Sequence, residues 1–282
     1  MRAIIFSLMA HTVLPLNYAV AKYLSAEIPI FQIIWARHCF TIILVLPILV
    51  FFFKKNFVWS EKPTLQILRG LLLIGVNICF YYAVSKIPLA KALTLTFISP
   101  LVVTIFSSIL LLEKVGIKRW SAVVIGFIGA LIVIRPGYIP LDIGSLSALC
   151  AGIMYAFYLI VTRKLSVSDN SLLTLLITGI IGTLSMSLTI PFVWVTPTLD
   201  QWYLLSLIGI ITVLGHFLII LSFKSAETSK LAPISYFEVV TNTIFGYFLF
   251  NHFPDNWTLV GLAVIISSGL FVFYRERKLG II

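Results

Sequence analysis

Apolar residues run through this chain in long blocks, separated by short clusters of Lys, Arg, Asn, Asp, Pro and Gly. A hydrocarbon layer ~30 Å thick needs about 20 residues of helix and tolerates no unpaired backbone amide. Ten blocks approach that length: approximately 3–22, 30–53, 66–84, 89–112, 119–135, 143–163, 171–195, 202–223, 231–250 and 257–274. Turn-forming residues fill the junctions, as in Lys54-Lys55-Asn56, Arg135-Pro136-Gly137, Ser168-Asp169-Asn170 and the stretch from Asn251 to Asp255. The expected fold is an all-α polytopic membrane protein with ten transmembrane helices. His11, Pro15 and Asn17 interrupt the first block, which therefore reads as a retained span and not as a cleaved signal.

The blocks also repeat. Lys91 and Lys230, 139 residues apart, each open an apolar helix. Glu113, Trp120 and Gly126 are echoed in order by Asn251, Trp257 and Gly261. With five helices in each half, an odd number, the second copy must enter the membrane from the opposite face. The expectation is two inverted five-helix repeats, residues 1–137 (helices 1–5) and 138–282 (helices 6–10), around one central site that opens alternately to either side.

Composition sharpens this picture. Of 282 residues only 11% are charged and mean hydropathy is +1.10, whereas a soluble domain carries about 25% charged residues. Membrane lipid is the implied surroundings. The net charge of +10 comes from basic clusters between apolar runs and not along one face, which argues against nucleic acid as a partner. With the N-terminus inside, Lys54, Lys55, Lys62, Arg69, Lys114, Lys118, Arg119 and most other cations fall on the cytoplasmic side. Only Lys22, Lys86, Lys91 and Arg135 fall outside, and Arg37 lies within a helix. That asymmetry predicts an inner (cytoplasmic) membrane protein with both termini cytoplasmic. Cys39, Cys79 and Cys150 lie in separate apolar blocks without metal-ligand spacing, and read as buried thiols.

These residues resemble the EamA-type members of the drug/metabolite transporter superfamily. In the first copy the likeness is carried by Pro100-Leu101, Leu110 to Glu113, Arg119-Trp120 and Gly126 to Gly129. In the second it is carried by Gly246 to Phe250, Pro254 to Gly261 and Ser268 to Leu270. The resemblance spans nearly the whole chain and implies transport of a small organic solute. One departure stands out: opposite Pro100 and Glu113 the second copy has approximately Glu238 and Asn251, so neither the kink nor the helix-end acid is expected there.

A charge at membrane depth costs roughly 2.5–3.5 kcal/mol on insertion scales, so each requires a partner, water or a task. Arg37 and Glu238 are read as the only such charges besides histidines. Arg37 suits an anionic group of the solute, and Glu238 an amine or a coupling proton; alternatively both make structural hydrogen bonds, to each other among other partners. An imidazole ordinarily titrates near neutrality, so of the membrane histidines His11, His38 and His216 the first and last join Glu238 as coupling candidates; the alternative for each is a bond to a carbonyl across a helix interface. Asn17, Asn77, Tyr81, Tyr236 and Asn242 complete the expected solute-binding set. Tyr236 and Asn242 flank Glu238, and Tyr18, Tyr155 and Tyr158 add rings with polar tips. Pro15, Pro100 and Pro233 are candidate sites for freed carbonyls.

HExxH, GxSxG and Walker patterns are missing from the sequence, so no enzyme, cofactor or metal is expected. The leading reading is a secondary transporter moving an amino-acid-like, cofactor-like or nucleotide-like metabolite by alternating access. A lipid or lipid-linked sugar flippase on the same frame is the alternative, and an intramembrane enzyme or sensor lacks supporting features. Partners are a small-molecule solute, lipid and protons as the candidate coupling ion; a homodimer stays open.

Overall fold

Each apolar block folds as helix. The computed structural model describes residues 2–53, 60–87, 89–113, 115–135, 142–250 and 255–278. Among them run α1 (Arg2–Leu24), α2 (Ile30–Phe53), α3 (Pro63–Lys86), α4 (Leu89–Thr96), α5 (Ser99–Leu110), α6 (Ile117–Ile134) and α7 (Ile143–Ser166). These are followed by α8 (Ser171–Ser187), α9 (Ile190–Val193), α10 (Leu199–Ser225), α11 (Thr228–Ser235), α12 (Phe237–Phe250) and α13 (Asn256–Lys278). No strand occurs among the described residues. The expected junctions at Lys54 to Asn56, Pro136-Gly137 and Asn251 to Pro254 lie outside them, as do Lys114 and the side chains of Lys91, Arg119 and Pro233.

Three of the ten expected segments are broken. The fourth splits into α4 and α5 just before Pro100, whose ring cannot donate to, and crowds, the carbonyl four residues back at Thr96. The seventh ends at Ser187 for the same reason, four residues before Pro191. The ninth splits at Tyr236 into α11 and α12. This overturns the expectation that the second half lacks the kink: it is present without a proline at the break.

Caps at the helix starts agree with the turn chemistry. Asp142 accepts from the Ser145 amide, Asn170 from the Leu172 and Leu173 amides, and Thr198 with Gln201 forms a reciprocal capping box. α1 packs along α10 and α3 along α7, α2 faces α8, and α6 faces α13. The α2–α8 contact depends on a missing side chain: a Cβ on Gly182 would lie 2.2 Å from the His38 ring. Small residues likewise admit α13 and Tyr236 to the face of α6, where Ser268 donates to the Ala122 carbonyl and Tyr236 lies on Gly126.

Large apolar side chains such as Ile43, Leu71, Ile210 and Phe248 point outward. A patch of that extent on a soluble surface would drive association; here it is the lipid-facing coat of a multi-pass membrane protein. α1, most of α2 (Ile30–Phe51), α3, α7 and α10 are each long and apolar enough to cross a bilayer alone. Cys39 and Cys79 are half-buried and Cys150 is exposed, contrary to the expectation of buried thiols. An outward face bathed in hydrocarbon does not penalise a weakly polar thiol.

Candidate functional site

The helix break at Thr96–Ser99 and the adjoining end of α11 open a central cavity. Its wall is made by Tyr18 of α1, Arg37 of α2, Asn77 and Phe80 of α3, Thr96, Phe97 and Ser99 around the first break, Tyr155 of α7, His216 of α10, and Ser235 and Glu238 around the second. Its volume is about 40 Å³. Gly152 makes room for the chain at the first break, since a Cβ there would lie 2.8 Å from the Thr96 carbonyl oxygen.

Arg37 is held from three sides. Its Nη1 donates to Asn77 Oδ1 at 2.9 Å and to Tyr81 Oη at 3.4 Å, and Nη2 lies 2.8 Å from His216 Nε2. A guanidinium has no acceptor, so His216 Nε2 must accept and the ring proton must sit on Nδ1. That nitrogen lies 2.9 Å from Tyr158 Oη and donates to it. His216 is therefore neutral in this arrangement, because a second ring proton would point at the guanidinium. Arg37 Nε is buried without a partner, which leaves one charged donor uncommitted.

Behind His216 stands a residue that the sequence reading counted only among the cytoplasmic-side cations. Arg69 is fully buried in the second turn of α3. It donates to Tyr158 Oη at 2.5 Å, Thr162 Oγ1 at 2.8 Å and Thr178 Oγ1 at 2.5 Å, and its guanidinium also lies 4.6 Å from the Tyr158 ring centroid. Its place inside the apolar block 66–84 was the signal available. Arg37 and Glu238 are thus not the only non-histidine charges among the described membrane-depth residues. One polar chain runs from Arg69 through Tyr158 and His216 to Arg37, and on through Tyr81 to Asn17 and Thr212.

Glu238 does not pair with Arg37. Its Oε2 lies 3.1 Å from His11 Nδ1, and both side chains are buried. Tyr18 and Tyr155 line the same cavity as Arg37 and Glu238.

Of the expected solute-binding residues, Arg37, Asn77 and Glu238 line the cavity, as does the coupling candidate His216. Asn17 and Tyr81 stand one layer behind and hold Arg37 in place. Tyr236 is fully buried against Phe97 with its hydroxyl on the Val123 carbonyl, and Asn242 donates to the Glu238 carbonyl of its own helix. Neither is among the residues that line the cavity. His11 lines a second, smaller cavity, and His38 is turned toward α8 and the Asn77 amide. Among the described residues no His, Cys, Asp and Glu cluster has the makings of a metal site.

An all-helical bundle with a charged cavity at its centre, bounded by helix breaks from both halves of the chain, is the plan of a membrane transporter. The profile of the EamA-like transporter family matches residues 1–135 and again residues 142–274, and the chain belongs to that family; it is a transporter and not an enzyme. It is 31% identical to the S-adenosylmethionine uptake transporter of Rickettsia bellii, over 93% of this chain and 90% of that protein. Identity is 28% to the riboflavin transporter of Vibrio cholerae, over 92% and 89%, and 24% to the pseudopaline exporter of Pseudomonas aeruginosa, over 98% and 96%. A crystal structure sharing 16% identity superposes with a TM-score of 0.80, covering 98% of this chain and 97% of the other, which shows a common fold.

Proposed function

We propose that this protein is a secondary carrier that moves a small zwitterionic metabolite with a flat ring across the inner membrane by alternating access. The observation that carries the reading is the cavity itself. Arg37, with an uncommitted Nε, and Glu238 both line it, together with the Tyr18 and Tyr155 rings. A guanidinium selects a carboxylate through paired N–H donors. A carboxylate and electron-rich ring faces select a cation, and the same faces stack on a flat ring.

Ten spans are counted when α4 with α5, α8 with α9, and α11 with α12 each make one. Residues 1–137 and 138–282 then form two inverted repeats with both termini cytoplasmic. The double family match supports this division, as does the packing: exchanging the halves exchanges the α1–α10 and α3–α7 contacts.

S-adenosylmethionine, for which the Rickettsia bellii relative is named, has an amino-acid carboxylate, a sulfonium cation and an adenine ring, and is the first solute to test. Riboflavin has the flat ring but no carboxylate, so it would leave Arg37 unanswered. The experiment is uptake of each labelled compound by purified protein in liposomes, with excess unlabelled amino acids and nucleosides as competitors. Saturable S-adenosylmethionine uptake that exceeds riboflavin uptake is expected. Riboflavin uptake with no response to any carboxylate-bearing competitor would reject the reading.

A further inference from the structure

Beside the solute cavity, with which it shares the Ser235 wall, lies a smaller hollow of about 20 Å³, enough for about one water molecule. Its polar wall consists of Ser7 and His11 of α1, Ser222 of α10, and Thr228 and Ser235 of α11. It sits at the end of the bundle where α1 begins and α10 ends. Thr228 Oγ1 is buried there without a partner. His11 lines this hollow and not the solute cavity, whereas Glu238 lines the solute cavity and not this hollow. The His11–Glu238 bond of 3.1 Å joins a titratable group of one space to a titratable group of the other. His11 Nδ1 is engaged with the carboxylate, and Nε2 has no protein partner among the described residues.

We propose that His11 is a proton relay, through which the smaller hollow delivers a coupling proton to Glu238 along a path separate from that of the solute. This rests on the carrier reading above. In the relay step a hydronium ion in the hollow gives a proton to His11 Nε2 and becomes water, while the proton on Nδ1 passes to Glu238 Oε2. One proton enters the ring and one leaves, so the imidazole ends neutral and the carboxylate becomes a carboxylic acid. Loss of that charge removes Glu238's hold on the cationic group of a solute. The proton and the solute cation therefore compete for one carboxylate, which is the elementary requirement for antiport.

The charged and titratable neighbours leave this path distinct. Around Glu238 the solute cavity presents Arg37 from α2, His216 from α10, Tyr18 from α1 and Tyr155 from α7. Of these Arg37 is a permanent donor, and His216 has its accepting nitrogen occupied by Arg37. Near the hollow, Glu113 accepts from the Thr228 amide at 3.0 Å and lies 4.0 Å from Arg163 Nε, so its carboxylate is engaged at the rim. Ser235 lines both spaces, but it has no titratable group; His11, which lines the hollow and bonds to Glu238 of the solute cavity, is the imidazole between them and carries a ring nitrogen with no protein partner among the described residues.

The test uses full-length protein in liposomes with labelled S-adenosylmethionine as probe. Two modes are compared: exchange against internal unlabelled S-adenosylmethionine at equal pH, and accumulation into a lumen more acid than the bath. Ser7→Val fills the hollow without touching Glu238 and should preserve exchange while reducing accumulation at least tenfold. His11→Gln, which keeps an amide donor toward Glu238 but cannot relay a proton, should reduce accumulation at least tenfold more than exchange. Full acid-driven accumulation in His11→Gln, or a wild-type protein that exchanges but never responds to the gradient, would overturn the proposal. A solute-independent arm separates this from failure of the substrate assignment. With Cys39, Cys79 and Cys150 replaced by serine, Thr228→Cys should react with a small charged thiol reagent from one membrane face while Ser99→Cys, in the solute cavity, does not. Equal reaction of both positions from that face would refute a separate path even if S-adenosylmethionine is not carried.

Discussion

Phe97 and Tyr236 touch, with ring centroids 5.8 Å apart, and they stand at the two helix breaks at the same 139-residue interval that separates Lys91 from Lys230. Corresponding positions of two copies meet where both helices are interrupted, so each break is braced by the other. Tyr236 is also seated on Gly126, where a Cβ would fall 2.6 Å from its ring.

Truncating that brace should be costly. Tyr236→Ala is expected to lower stability by about 3–5 kcal/mol, the range for deleting a buried aromatic ring. Tyr236→Phe should cost only about 1 kcal/mol, because it keeps the ring and loses the single bond to the Val123 carbonyl. Thermal unfolding in detergent, followed by tryptophan fluorescence, provides the comparison; equal losses in the two variants would place the stabilisation in the hydroxyl.

Arg37→Ala should weaken transport of carboxylate-bearing solutes by about 10–100-fold, the worth of one hydrogen-bonded charge contact. Arg37→Lys should recover part of this, since the point charge survives and the planar fork is lost. Concentration dependence of uptake decides the matter, and full activity in Arg37→Ala would make the residue structural.

Arg69 never reaches the cavity wall, yet it organises Tyr158, Thr162 and Thr178. Arg69→Ala should destabilise the protein by about 3 kcal/mol, as charge-assisted bonds are lost and a void is left. The variant should also loosen His216 and so weaken solute affinity. A protein with unaltered unfolding temperature and unaltered affinity would show the network to be dispensable.

Topology is open to direct measurement in a cysteine-free background. Ile117→Cys should be labelled from the cytoplasmic side by an impermeant maleimide, and Asp255→Cys from the opposite side, since both positions are exposed. The reverse pattern would invert the orientation, and labelling of both from one side would remove the inverted repeat.

Segment positions were legible because a span needs length and apolarity, both of which are local properties. The breaks at Pro100 and Pro191 follow from ring chemistry that any reader of the chain could apply. The break at Tyr236 could not be read this way, having no proline at that point and resting instead on packing against Phe97 and Gly126. Arg37 and Glu238 stood out by their depth, but their partners did not. The bond between His11 and Glu238 joins residues 227 positions apart, and only the docking of α12 on α1 brings them together. The burial of Arg69 was missed because a cation near the end of an apolar block looks like surface charge until the helix is seen to begin at Pro63.

The solute cavity, of only about 40 Å³, has a consequence for throughput. A nucleoside-sized cargo cannot enter without the walls moving apart, and nothing of that size passes straight through. Collective helix movements of this kind take microseconds to milliseconds. On the alternating-access reading proposed above, the protein would work as a turnstile with a clock rate, delivering a counted cargo per cycle.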